Sequence, residues 1–251
     1  MSRRLLLVAA LAVALVPSLS RAADEPKDVI AKAVKAHGGE EFLKKHAAHS
    51  SVEKGKIDLP GVGEVEFTSE SAFMLPNKIK QVMSFTVMNQ NVTVTVKALG
   101  DTAFGETAVG AMKIDISKEV KDGLKDVPHM LEVGQLYPLL GKDYTLGTFG
   151  EEKVNGKAAI GITISKKGQN DVTMFFDKET HLMVRMDSRG KSPTGGAEVN
   201  QTRIIEEYGK TKDGVPVPKK VTVKHDGKDF LKAEVSDVQY LEKLPDAEFK
   251  K

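Results

Sequence analysis

The sequence predicts a mainly β (α+β) fold: a long antiparallel meander that opens with a helix and is interrupted once by a helical insert. Three observations carry this. Apolar and polar residues alternate at period two over most of the chain beyond residue 51. Turn-forming pairs such as Asn155-Gly156 and Asp226-Gly227 separate the alternating runs. Helical spacing is confined to 26–45 and 116–140. With 251 residues, 40% hydrophobic and 29% charged, the chain is long enough for one large all-β domain and is neither disordered nor collagen-like in composition.

Residues 1–22 have the layout of a secretory signal. Arg3 and Arg4 precede an apolar run over 5–16, followed by Pro17 and the small-residue site Ser20-Arg21-Ala22. The run is shorter than the roughly 20 apolar residues of a membrane-spanning helix. Residues 23–251 are therefore expected to be exported, periplasmic or secreted, as a single domain without a transmembrane segment. Removing 1–22 takes away three Arg and no acid, so Lys plus Arg falls from 37 to 34 against 35 acids and the charge moves from +2 to −1. Only Arg185, Arg189 and Arg203 remain, too few for the bidentate contacts that read nucleic acid, so no nucleic-acid partner is expected.

Pro26 suits the first turn of a helix over 26–36, whose Val29, Ile30, Ala33 and Val34 fall on one face. Gly38-Gly39 ends it, and a second short turn over 40–45 carries Phe42 and Leu43. Val65, Phe67 and Phe73 then face one way, while Glu64, Glu66, Thr68 and Glu70 face the other. Met83, Phe85 and Val87 repeat the pattern, and Val92, Val94 and Val96 follow a turn at Asn89-Gln90-Asn91. Further strands are expected over 158–165, 171–176, 182–187, 199–208, 219–225 and 230–241. In the insert, Val120, Leu124, Val127 and Leu131 recur at helical spacing, with Ser117 as the expected N-cap and Pro128 dividing it into two helices. Two helices dropped into a long meander can cover the apolar face of a curved sheet.

Catalytic signatures are missing. Without Cys there is no disulfide, no thiolate nucleophile and no Cys-ligated metal. His46 and His49, with His37 nearby, form the one histidine cluster, but they straddle a helix-to-strand junction and have no third ligand at metal spacing. Gly190-Lys191-Ser192 lacks the earlier glycine of a phosphate loop, since Arg185 stands there. The pairs Glu151/Glu152 and Glu206/Glu207 point to opposite faces of a strand. The expectation is a non-enzymatic protein with no cofactor and no metal. Met74, Met83, Met88, Met112, Met130, Met174, Met183 and Met186 fall in or beside the strands and insert, either as core filler or as an adaptable cavity lining.

Several segments resemble the outer-membrane lipoprotein-sorting (LolA/LolB-like) superfamily, in a divergent exported form. The opening from Val29 to Gly39 resembles that group's first helix and glycine end. Met74-Leu75-Pro76-Asn77-Lys78 resembles its proline step, and Val154-Asn155-Gly156-Lys157-Ala158 with Asp177-Lys178-Glu179-Thr180 its central hairpins. Tyr208 and Asp213-Gly214-Val215-Pro216 resemble its late strand and turn. The resemblance implies a curved antiparallel half-barrel, an unclosed barrel lidded by helices over a hydrophobic cavity. It further implies a carrier or sensor of the cell envelope that binds lipid or the acyl chain of a lipoprotein, with an envelope protein as a candidate partner. The alternative is an envelope interaction or scaffold domain whose core is filled by its own side chains. On the first reading, the expected lining is Phe67, Phe73, Met83, Phe85 and Val87, with Phe104 and Met112. Val120, Leu124 and Leu131 lie on the cover.

Overall fold

The structure is a computed structural model and describes residues 25–191 and 197–251. The expected signal at 1–22 and Ser192 lie outside the described residues. Helices α1 (Pro26–Ala36) and α2 (Glu40–Lys45) come first. A first run of strands follows: β1 (Ala48–Leu59), β2 (Gly63–Met74), β3 (Lys78–Val87), β4 (Gln90–Leu99), β5 (Thr102–Val109) and β6 (Met112–Asp115). The insert forms α3 (Ser117–Gly123), α4 (Val127–Gly134) and a 3-10 turn at Tyr137–Leu140. A second run comprises β7 (Thr145–Val154), β8 (Lys157–Ser165), β9 (Val172–Asp177) and β10 (Met183–Lys191). It continues through β11 (Glu198–Lys210), β12 (Pro216–His225) and β13 (Lys228–Leu241) to a closing 3-10 turn at Asp246–Phe249.

All thirteen strands form one sheet, ordered β6-β5-β4-β3-β2-β1-β13-β12-β11-β10-β9-β8-β7. Each run is a plain meander, and antiparallel pairing of β1 with β13 welds them together. The barrel is open, with β6 and β7 as its edges. The insert joins those two edges, so its course takes it over the inner face. There α3 rests on β5 and reaches β10. The approach to β5 depends on Gly105, where an added Cβ would lie 2.4 Å from the Cγ2 of fully buried Val120.

The main core lies at the β8–β9 end. Val29, Ile30, Ala33 and Val34 of α1 pack with Val133, Leu139, Ile160, Ile162, Ile164, Met174 and Phe176. Each such aliphatic side chain removed from water is worth about 1.5–3 kcal/mol. On the outer face, Phe249 seats the C-terminus against Ala48, Ala72 and Met74. Salt bridges Lys78–Asp246 and Lys80–Glu248, both 2.7 Å, fix that segment in place.

Some boundaries differ from the sequence expectation. Ser117 is the first residue of α3 rather than its cap; its hydroxyl turns to Gly105, and its N–H donates to Asp115 Oδ1 at 2.8 Å. Pro128 does separate the two helices, standing in the first turn of α4. Strand β7 was not expected, because most of its residues are exposed and two glycines blur its alternation. Edge strand β6 is exposed throughout and only four residues long, too short for the alternation of Met112 and Ile114 with Lys113 and Asp115 to mark a strand.

Candidate ligand-binding site

A cavity of about 530 Å³ lies between the inner face of the sheet and α4. Its walls come from β1–β3 and β9–β13, and its cover from α4 and the C-terminal end of α3. Met130, Met174, Met183 and Met186 supply flexible, polarisable surface along one side. Phe73, Tyr208 and Tyr240 contribute rings, and Val223, Leu231 and Val235 complete an apolar floor.

Three irregular strands aim the large side chains inward. On β10 the register shifts between Met183 and Arg185, so Met183 and Met186 both line the cavity although they are three residues apart. On β11 a shift around Glu207 puts Tyr208 on the same face as Ile205 and Arg203. On β13, opposite the shift between Ser50 and Val52, Asp237 adopts φ 50° and both Val235 and Val238 face inward. A bulge inserts one residue and reverses the alternation beyond it.

The cavity also has a polar end. His49 sits on β1 with its ring 5.0 Å from Phe73 and 6.5 Å from Tyr240. Burial, and secondarily the positive charge of Arg203, push its pKa down to about 4, so it is neutral at pH 7. Tyr208 donates its hydroxyl proton to the Met183 carbonyl oxygen at 2.6 Å, and burial raises its pKa. On the cover, the buried ring of His129 stacks on Tyr144 at 6.0 Å, and burial lowers the His129 pKa. His37, His46 and His49 belong to no group that could hold a metal among the described residues. His37 and His46 bond through Nδ1 to the Ala33 and Phe42 carbonyls, both at 2.8 Å, and His37 and His49 both line the cavity.

Of the ten residues expected to make the lining, Phe73 and Leu131 line this cavity. Phe67 is buried further along the same face with Ile57 and Ala233, and Met83 and Phe85 pack on that cluster. Val120 is buried against β5, Leu124 and Val87 are half-buried, and Met112 is exposed on the edge strand. Phe104 lies elsewhere: it pairs with Lys97 on the outer face, and the Lys251 ammonium sits 5.0 Å over its ring. Sequence reasoning placed the lining on the early strands and missed Arg203, Tyr208 and Tyr240 on the late ones. The cluster of methionines at 174, 183 and 186 was the available signal.

A wider groove of about 1340 Å³ lies on the outer face of β1–β4 and β11–β13. Lys54, Lys56, Glu64, Glu66, Lys220 and Glu234 line it. The Lys56–Glu64 pair at 2.7 Å marks it as a solvated surface of mixed charge, unsuited to an apolar ligand.

An open antiparallel sheet with helices bridging its edges and covering its inner face is an unclosed half-barrel. Among solved structures the chain is similar to a DUF1329 family protein from Desulfovibrio piger, at 17% identity and TM-score 0.53, over 91% of this chain and 98% of that one. It is also similar to a LolA superfamily protein from Nitrosomonas europaea, at 13% identity and TM-score 0.51, over 91% and 99%. At these identities the likeness shows the fold. No family model matches the chain, and no curated protein matches it.

Proposed function

We propose that the protein is a non-enzymatic carrier or sensor that takes up a lipid or acyl chain in the cavity beneath α4. The observation that supports this most is the partly unfilled inner face. About 530 Å³ bounded largely by methionine, aromatic and aliphatic side chains falls within the range of small-molecule sites. Each CH₂ moved from water into such a site is worth about 0.8 kcal/mol, enough for one chain to bind without chemistry. We take residues 23–251 as a single domain, exported behind the signal at 1–22; among the described residues no helix is long and apolar enough to cross a membrane. The similarity to a LolA superfamily fold supports an envelope role.

The alternative scaffold reading draws on the other half of the inner face, where Phe67, Ile57 and Ala233 are filled in by Met83 and Phe85. Purification from a bacterial periplasm without detergent, followed by native mass spectrometry and lipid extraction, separates the two. The carrier reading expects a lipid at one per chain. A protein that emerges empty and also ignores added fatty acid favours the scaffold.

A further inference from the structure

Arg203 stands out among the groups that face the cavity. It lies on β11 between Met186 of β10 and Val223 of β12, two apolar neighbours that also line the cavity. It is half-buried, and among the described residues its guanidinium makes no hydrogen bond and has no carboxylate within salt-bridge distance. Two carboxylates, Glu53 and Asp126, line the same cavity without pairing to it. The other two arginines of the described chain are committed: Arg185 to Glu152 at 2.9 Å and Arg189 to Glu198 at 3.3 Å. The neighbours that sense the charge of Arg203, His49 and Tyr208, cannot neutralise it: His49 is an uncharged ring, and Tyr208 has spent its proton on the Met183 carbonyl.

A guanidinium carries five N–H donors in a fixed planar fork and cannot shed its proton. Leaving it among apolar side chains without an acceptor is costly, whereas a carboxylate or phosphate can take two of its N–H groups at once. The methionines give an acyl chain somewhere to lie, and Arg203 gives its head somewhere to end. We infer that Arg203 is an anion subsite inside the cavity, selecting acyl ligands that carry a carboxylate or phosphate head group over neutral ones of the same length. This rests on the reading of the cavity as an acyl-chain site and adds the class of ligand.

The test compares hexadecanoate, hexadecyl phosphate, hexadecanol and inorganic phosphate on the detergent-free mature chain, by displacement of a fluorescent fatty acid. Both anionic amphiphiles are expected to bind roughly tenfold or more tightly than the alcohol, the scale of a charge-assisted hydrogen bond. Arg203→Met should erase that preference in a protein that still binds hexadecanol and melts no lower than the native chain, since the unpaired charge is gone, and Arg203→Lys should retain part of it. Equal binding of acid and alcohol by the native chain, or a preference that survives in Arg203→Met, overturns the subsite and leaves the carrier reading standing. Inorganic phosphate bound as tightly as hexadecyl phosphate overturns the assignment to an amphiphile. If none of the three amphiphiles binds, the carrier reading falls and the subsite with it.

Discussion

His49 links the cavity to the stability of the fold. It stands on β1 between the rings of Phe73 and Tyr240, with Arg203 the charged group that acts on it and Glu53 further along the same strand. In the folded chain it stays neutral down to about pH 4, whereas an unfolded chain protonates its histidines near 6.5. Between those values the unfolded state binds more protons. The stability that rests on a neutral His49 is therefore complete above about pH 6.5 and is lost as the pH falls toward 4. His37, His129 and His225 are also lowered by burial and tilt the profile the same way, so a variant is needed to isolate His49. Urea unfolding at pH 7 and pH 4.5 should show the native chain losing about 2 kcal/mol more than His49→Gln over that interval. Equal losses in the two proteins would show that His49 is not held neutral.

At the scale of elements, the cover matters most. Strand β10 and the start of α4 approach each other at Gly190 and Asp126: a Cβ added at Gly190 would lie 3.3 Å from Asp126 Oδ2. The chain has no Cys, so the double variant Asp126→Cys/Gly190→Cys introduces the only pair of thiols. Its oxidised form should slow release of a bound fluorescent fatty acid by tenfold or more, with reduction restoring the native rate; unchanged release would place the ligand's path elsewhere. Element positions were largely legible in the sequence. The α1 face of Val29, Ile30, Ala33 and Val34 is buried as its spacing requires, and the turns at Asn155-Gly156 and Asp226-Gly227 have positive φ at both residues. The bulges were not. A period-two reading carried along β11 or β13 sends Tyr208 or Tyr240 to the wrong face, and nothing local in the sequence marks the extra residue. Long-range pairing with β12 and β1 decides it.

At the scale of the molecule, two meanders share one seam at β1 and β13 and differ in how they use their inner faces. The early strands were correctly given an apolar odd face, but alternation cannot say which part of a curved face is filled. Ile57, Phe67 and Ala233 close one end, while α1 and the insert crowd the β8–β9 end, leaving the cavity between them. Curvature and the insert's route between β6 and β7 set that division, and both depend on contacts far apart in the chain. The central claim is that this intervening space holds an acyl chain. Met186, which pairs with Met174 and Arg203 on the cavity wall, is the place to fill it. Titration of residues 23–251, purified without detergent, and of the Met186→Trp variant with a fluorescent sixteen-carbon fatty acid tests the claim most directly. Saturation at one ligand per native chain is expected, with affinity reduced at least tenfold in a Met186→Trp protein that keeps its melting temperature. Absence of saturable binding to the native chain, or undiminished binding to a folded Met186→Trp variant, would contradict it.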